Sequence, residues 1–213
     1  FIGFNFVNSL VKTNKKIKIV GIDNLNNYYS VGLKKARLKI LLKSKNFTFQ
    51  KMDLENLKLL NNLFKKNKFD CIFHLAAQAG VRYSIKNPKK YIDSNIVGFF
   101  NIIELARKTN IKKIFYASSS SVYGDSKKFP LNEKTIINPK NTYGLTKKFN
   151  EELAEVYSNY YDINFVGLRF FTVYGEWGRP DMMILKYIEA SVKNKYFYLY
   201  NYGNHTRDFT YIE

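Results

Sequence analysis

Ile111-Lys112-Lys113-Ile114-Phe115-Tyr116-Ala117-Ser118-Ser119-Ser120-Ser121-Val122-Tyr123-Gly124 carries an apolar stretch straight into four consecutive hydroxyls. The short run of aliphatic and aromatic residues predicts a strand over 111–117. Open α/β sheets bind ligands beyond the carboxyl ends of their strands, which is where the serines fall. Next comes Tyr143-Gly144-Leu145-Thr146-Lys147, at the head of a helical stretch from Tyr143 to Tyr160. Residues four apart on a helix lie on one face, one turn apart. An ammonium near a phenol favours the phenolate, which lets a group of ordinary pKa about 10 work as a base near neutrality. Tyr-x-x-x-Lys by itself arises by chance in any lysine-rich helix. A hydroxyl cluster at a strand end in front of it is a much narrower pattern.

The same alternation extends in both directions. Upstream, strands are expected at Ile17–Ile22, running into Asp23, at Phe47–Met52, running into Asp53, and at Phe69–Leu75, running into Ala76-Ala77-Gln78-Ala79-Gly80. His74 lies inside the third strand and reads as structural. Apolar residues at helical spacing mark helices over Phe1–Val11, around Leu33–Leu41, around Leu57–Phe64, and over Asn95–Arg107 with Phe99 and Phe100. Downstream, a strand over Ile163–Leu168 runs into Arg169–Gly175. A loop (Glu176–Asp181), a helix (Met183–Val192), a short aromatic strand (Phe197–Tyr200) and the segment Gly203–Phe209 follow. Strands separated by helices imply a parallel sheet covered on both faces. The expected fold class is α/β, a Rossmann-like doubly wound parallel sheet with a partial, smaller C-terminal substrate lobe. Residues 1–172 form the expected nucleotide-binding region and 173–213 the partial substrate region. The ends at Asp23, Asp53, Ala76–Gly80, Ser118–Ser121 and Phe170–Thr172 are expected to make one contiguous site.

A helix start, a loop and a strand ending in an acid about 20 residues after a glycine form the back half of a dinucleotide-binding unit. Asp23 would accept hydrogen bonds from a ribose, and Gly3 would be the last glycine of the phosphate turn. The chain opens at Phe1-Ile2-Gly3 without Met and stops at Tyr211-Ile212-Glu213. It reads as a fragment cut at both ends, lacking the first strand and most of the glycine turn, and as such is expected to be inactive or unstable.

Composition narrows the classes. A chain of 213 residues, 46% of them hydrophobic, is ample for one core. No apolar run reaches the roughly 18 residues that span a membrane. The single Cys71 allows neither an internal disulfide nor a cysteine-rich metal site, and is expected to be a buried reduced thiol in a cytoplasmic protein. The net charge of +18 comes from lysines spread along the chain beside abundant asparagine, as on a solvated surface. It points away from nucleic-acid binding as the main role, although such a field helps attract an anionic substrate. Arg179 and Arg207 are candidates for phosphate or carboxylate contacts.

With these residues laid out, the chain resembles the extended short-chain dehydrogenase/reductase family, in its branch of NAD-dependent nucleotide-sugar epimerases and dehydratases. The resemblance runs from Phe1 to Glu213. Phe1-Ile2-Gly3 is similar to the end of the family's glycine turn. Leu75–Arg82, Ser118–Gly124, Tyr143–Lys147, Leu168–Gly175 and Arg207-Asp208-Phe209 match its other motifs. Gly21–Tyr29, Ala79–Ser84 and Phe171–Met182 look most like UDP-glucuronate 4-epimerases, which serve capsular polysaccharide biosynthesis. The resemblance implies an isomerase that epimerises a UDP-sugar at C4 through a 4-keto intermediate. Alternatives are a UDP-glucose/UDP-galactose 4-epimerase, another nucleotide-sugar epimerase or dehydratase, or a non-catalytic NAD-binding module. The related dehydratases carry an Asp-Glu pair where this chain has Ser120 and Ser121. By resemblance, Tyr143, Lys147 and Ser119 are catalytic. Phe1, Ile2, Gly3, Asp23, Asn24, Asp53, Leu54, Ala76, Ala77, Gln78, Asn95, Tyr143 and Lys147 would bind NAD. Arg82, Ser119, Ser120, Thr172, Arg179 and Arg207 would bind substrate. No metal, nucleic-acid partner or membrane insertion is implied. The full-length protein would be a homodimer, pairing the Asn95 and Tyr143 helices with their copies.

Overall fold

The computed structural model describes residues 1–213 apart from Lys128 and His205, with Tyr200 described by its backbone alone. His205 belongs to the expected Gly203–Phe209 segment and so lies outside the described residues. The chain divides into two compact units, one of residues 1–51 with 171–213 and the other of residues 52–170.

In the first unit, helix α1 (Ile2–Thr13) buries Phe4 and Val11 against Leu41 of helix α2 (Val31–Leu41) and Phe47 of strand β2 (Phe47–Lys51). β2 pairs in parallel with β1 (Ile19–Asp23), which sets Asp23 opposite Lys51 at the carboxyl end. Ser30 caps α2 by accepting from the Leu33 amide. Arg37 on α2 is 4% exposed, and its guanidinium donates to Tyr29 Oη (2.7 Å) and to the carbonyls of Trp177 (2.5 Å) and Gly178 (2.9 Å). The returning segment adds a parallel pair, β6 (Thr172–Tyr174) with β7 (Phe209–Tyr211), and helix α8 (Met183–Val192). The strand expected at Phe197–Tyr200 is absent. Residues 196–199 have no regular structure, and a 3-10 turn covers Tyr200–Gly203 with Asn201 and Tyr202 left-handed. A strand needs a partner and a face to bury. Here Tyr198 and Leu199 are exposed, and no strand lies alongside among the described residues.

The second unit is built on three parallel strands, β3 (Ile72–His74), β4 (Lys113–Ala117) and β5 (Asn164–Leu168), in that spatial order. β3 is shorter than the expected Phe69–Leu75 because only Ile72, Phe73 and His74 find partners on β4. Cys71 precedes the strand and is exposed, not buried as expected; partial burial and the Asp70 carboxylate still raise its thiol. Helix α3 (Leu57–Lys66) buries Leu60, Leu63 and Phe64. Between β3 and β4 the chain forms α4 (Val81–Lys86), α5 (Pro88–Tyr91), a π turn (Ile92–Val97) and α6 (Gly98–Lys108). Only the last part of this run was legible as a helix. Of the two adjacent aromatics at the head of α6, Phe99 is fully buried between His74 and Tyr116, while Phe100 is exposed. Helix α7 (Thr142–Tyr161) completes the unit.

Gly98 marks the join of the π turn and α6, and a Cβ there would lie 2.7 Å from Leu54 Cβ. Gly98→Ala is expected to destabilise the fold by about 1–3 kcal/mol, since neither backbone can move freely. Urea unfolding with an unchanged midpoint would refute this close packing.

Candidate active site

The serine cluster is held by a continued sheet ladder. Past the strand ends, Ser118 N donates to Leu168 O (2.8 Å) and Ser120 N to Phe170 O (2.9 Å). Ser119 is extended and 7% exposed, and its Oγ accepts from Ser121 N (3.2 Å) to open a 3-10 turn over Ser120–Tyr123. Gly124 ends that turn at φ +61°, where a Cβ would lie 2.0 Å from Asn138 O, so only glycine fits. The head of α7 presses on the same turn. Asn141 caps the helix through the Gly144 amide (2.9 Å), and a Cβ on Gly144 would sit 2.5 Å from Ser121 O. Tyr143 therefore stands beside the serines because its neighbour has no side chain.

One turn on, Lys147 is 1% exposed, and its ammonium donates to Ala117 O at 2.7 Å. Burial lowers its pKa to about 8, with no carboxylate raising it. That carbonyl takes one of three N–H donors, and no second acceptor stands within reach among the described residues. Two spare donors on a buried ammonium suit the hydroxyls of a bound sugar or ribose, so the donor chemistry fits the implied cofactor.

A second frame holds the loop after β3. The Asn95 side chain, 1% exposed, accepts from Gln78 N (2.8 Å) and donates to Gln78 O (3.0 Å) and Thr146 Oγ1 (3.1 Å). Thr146 Oγ1 in turn donates to Tyr143 O (2.8 Å). Tyr91 is fully buried, donates to Ala79 O (2.8 Å) and Gly80 O (2.5 Å), and sets its ring edge-on to Tyr143 at 6.0 Å. Ala76 and Ala77 are half-buried, Gly80 turns the chain at φ 104°, and Arg82 is exposed on α4. Asp53 is exposed. Leu54 is buried, and its carbonyl accepts from Asn101 (2.8 Å). Ser118 donates to Glu151, which also forms a two-pronged pair with Arg169 (3.0 and 2.8 Å); Arg169 reaches Tyr123 Oη at 3.1 Å.

Sequence reasoning passed over Tyr91, Thr146, Glu151 and Arg169. Thr146 and Arg169 lie inside the matched stretches Tyr143–Lys147 and Leu168–Gly175, the spacing Lys147-x-x-x-Glu151 was a signal for Glu151, and Tyr91 had none. His74 is a neutral core residue: burial, then the Lys147 charge, push it down to about 3, and its ring meets Phe99 at 5.3 Å. His74 Nε2 and both amide atoms of Asn150 are buried without a hydrogen-bond partner among the described residues.

In the first unit, Phe1, Ile2 and Gly3 are half-buried at the start of α1. Exposed Asp23 accepts from Leu25 N (2.6 Å), and Asn24 accepts from Asn26 N (3.0 Å). Thr172 opens β6, and Arg207 is exposed with a bond to Thr206 O (2.8 Å). Arg179 pairs two-pronged with Asp181 (3.1 and 2.5 Å). Among the described residues no His, Cys, Asp and Glu cluster could hold a metal ion, and no helix is long and apolar enough to cross a membrane.

Parallel strands joined by helices, with a serine turn and a Tyr-x-x-x-Lys helix at their carboxyl ends, define the extended short-chain dehydrogenase/reductase fold. The chain belongs to the NAD dependent epimerase/dehydratase family, whose profile matches residues 1–213. It is 49% identical over 214 residues to Protein CapI of Staphylococcus aureus, covering all of this chain and 63% of that protein. It is 44% identical over 200 residues to UDP-glucuronate 4-epimerase 4 of Arabidopsis thaliana, covering 92% of this chain and 46% of that one. Among solved structures it superposes, with TM-score 0.91 and 35% identity, on UDP-glucuronic acid 4-epimerase of Bacillus cereus in complex with UDP-glucuronic acid and NAD. That match covers all of this chain and 66% of the other. The chain thus spans less than two thirds of the length of CapI.

The buried ammonium makes a stability prediction. Lys147 has a folded pKa of about 8 against an ordinary 10.5. The folded state therefore loses this proton first, and stability rises as pH climbs from about 8 to 10.5. Below about 8 the full cost of burial, about 3 kcal/mol, is present. Urea unfolding of Lys147→Met should lack this rise. Parallel pH profiles for the two proteins would contradict the assignment.

Proposed function

We propose that the protein is an NAD-dependent nucleotide-sugar 4-epimerase acting on a UDP-sugar, and that the sugar is glucuronate, interconverted with galacturonate. The observation that carries this reading is the buried Lys147 ammonium, one turn from a tyrosine whose helix abuts the serine turn. The similarity to UDP-glucuronate 4-epimerases supplies the substrate.

In this reading Phe1, Ile2, Gly3, Asp23, Asn24, Asp53, Leu54, Ala76, Ala77, Gln78, Asn95, Tyr143 and Lys147 hold NAD. Residues 1–172 carry the whole cofactor site together with part of the substrate site, and 173–213 serve the substrate alone. The chemistry NAD supplies when bound is reversible hydride acceptance from C4 of the sugar. Ser119 Oγ holds the 4-hydroxyl. Tyr143 Oη takes its proton as C4 is oxidised, and returns it when the 4-keto sugar is reduced on its opposite face. Lys147 supports the tyrosine electrostatically. Net redox change is zero. Ser120 also faces the sugar; with Ser121 it leaves no carboxylate for elimination, which argues against a dehydratase. Thr172 and Arg207 hold the diphosphate end, and Arg82 and Arg179 the sugar carboxylate. The protein works in the cytoplasm as a homodimer built on α6 and α7, where Phe100, Leu145, Phe149 and Val156 are exposed. A UDP-glucose substrate is the second reading, favoured by the carboxylate already paired with Arg179.

In a chain extended to the length of its relatives, UDP-glucuronate with NAD should convert to UDP-galacturonate with no net NADH, followed by proton NMR. Tyr143→Phe should lower kcat by at least about a hundredfold, the usual scale of a lost acid–base group, while NAD still binds. Turnover of UDP-glucose alone would move the assignment to the second reading, and silence with both sugars would refute the proposal.

A further inference from the structure

Ser118 takes no part in the chemistry assigned to its neighbour Ser119, yet it is tied on both its main chain and its side chain. It is 2% exposed, its amide donates to Leu168 O at 2.8 Å, and its hydroxyl donates to Glu151 Oε1. The Glu151 carboxylate meets Arg169 along one guanidinium edge, Oε1 with Nε at 3.0 Å and Oε2 with Nη2 at 2.8 Å. The third nitrogen, Nη1, donates to Tyr123 Oη and to Glu133 O, both at 3.1 Å, and Tyr123 Oη donates to Asn132 O at 3.0 Å. Every one of these residues lies in the second unit.

This network touches the serine turn at both ends. Ser118 stands just before Ser119, and Tyr123 is the last residue of the 3-10 turn over Ser120–Tyr123. The Glu151 and Arg169 side chains are only 14% and 22% exposed. An ion pair so shielded gives back much of its attraction as desolvation, so it is a weak source of stability. What a two-pronged pair does supply is direction, because the fork admits one in-plane orientation. Position on α7 shows where that direction is used. Tyr143, Lys147 and Glu151 follow one another at single-turn spacing and share a helix face. Lys147 grips Ala117 O and Glu151 grips the Ser118 hydroxyl, so one helix face holds two consecutive residues of the strand end. A single grip leaves the helix free to pivot about it. Two grips one turn apart fix both its rotation and its height against β4.

We infer that Ser118 is a positioning residue: its hydroxyl, held by the Glu151–Arg169 pair, locks α7 against the serine turn and so sets the spacing of Tyr143 from Ser119. This rests on the epimerase reading and is the same for either sugar. The two hydroxyls that meet the sugar 4-hydroxyl come from different elements, and a small misplacement of reacting groups costs rate far more than it costs binding. Ser118 is also the one member of the network whose side chain can be trimmed without breaking the ion pair, since Glu151 keeps both prongs on Arg169.

The test uses the full-length protein with NAD and whichever of UDP-glucuronate and UDP-glucose the unaltered enzyme turns over. Ser118→Ala is expected to lower kcat about tenfold while KM and the Kd for NAD stay within about twofold. Glu151→Gln, which breaks the two-pronged pair and keeps the size of the side chain, should lower kcat in the same way. In a Ser119→Ala background neither substitution should lower kcat further, because both act through the placement of Ser119. A merely structural role would instead reduce kcat by the same factor in both backgrounds. Unchanged kcat in Ser118→Ala, a loss confined to KM, or losses that multiply with Ser119→Ala would overturn the inference and leave the epimerase reading standing. If Ser118→Ala no longer binds NAD, Glu151→Gln carries the test; loss of NAD binding by both would overturn the inference, since their role would then be the fold itself. No turnover of either sugar by the unaltered protein refutes the epimerase reading and takes the inference with it.

Discussion

An ammonium with no carboxylate beside it, buried between a helix and a strand end, is the constraint around which the second unit is arranged. Lys147 reaches Ala117 O at the last residue of β4, and this one bond ties α7 to the strand that delivers Ser119. Lowering a lysine to about pKa 8 by burial costs about 3 kcal/mol. Apolar packing around α7, with Ala154, Tyr157 and Ile163 buried nearby in sequence, offsets a cost of that size. The same helix head has to press on the serine turn, which is why Gly144 follows Tyr143.

The backbone beyond the strand ends cannot rely on the sheet, and buried polar backbone groups must still find partners. Two side-chain frames meet that need. Asn95 and Tyr91 hold Gln78, Ala79 and Gly80 after β3. Glu151 and Arg169 join Ser118 and Tyr123 after β4 and β5. Each frame uses a helical side chain to fix a loop, so the chemistry-bearing groups stand on loops tied to the helices behind them. In the first unit Arg37 of α2 holds the Trp177 and Gly178 carbonyls, and the turn residues Asp181 and Tyr28 hold the Arg179 side chain between them.

Much of this was legible from local pattern. Helices α1, α2, α3, α7 and α8 follow from apolar spacing. Strands β1, β2, β4 and β5 follow from short apolar or alternating runs, ending in acids (β1, β2), in serines (β4) or at Arg169 (β5). Failures came where pattern and environment diverge. Phe197–Tyr200 has strand composition but no strand to pair with among the described residues. Cys71 sits in an apolar run but one residue before pairing begins, so it faces solvent. Phe99 and Phe100 are adjacent aromatics of which one is core and one surface, a choice fixed by the helical angle after the π turn.

The sequence by itself determined the alternating α/β order and the identity of the serine, tyrosine and lysine. It did so because helical and strand periodicity and the i, i+4 relation are local properties of the chain. Only the tertiary structure decided that Lys147 is buried against Ala117 O, that Asn95 and Tyr91 clamp the Gln78–Gly80 backbone, and that Arg179 is already paired with Asp181 beside Tyr28. Apart from the Arg179–Asp181 pair, two residues apart, those facts rest on contacts between residues distant in sequence, such as Tyr28 with Asp181, and no spacing rule carries such a contact.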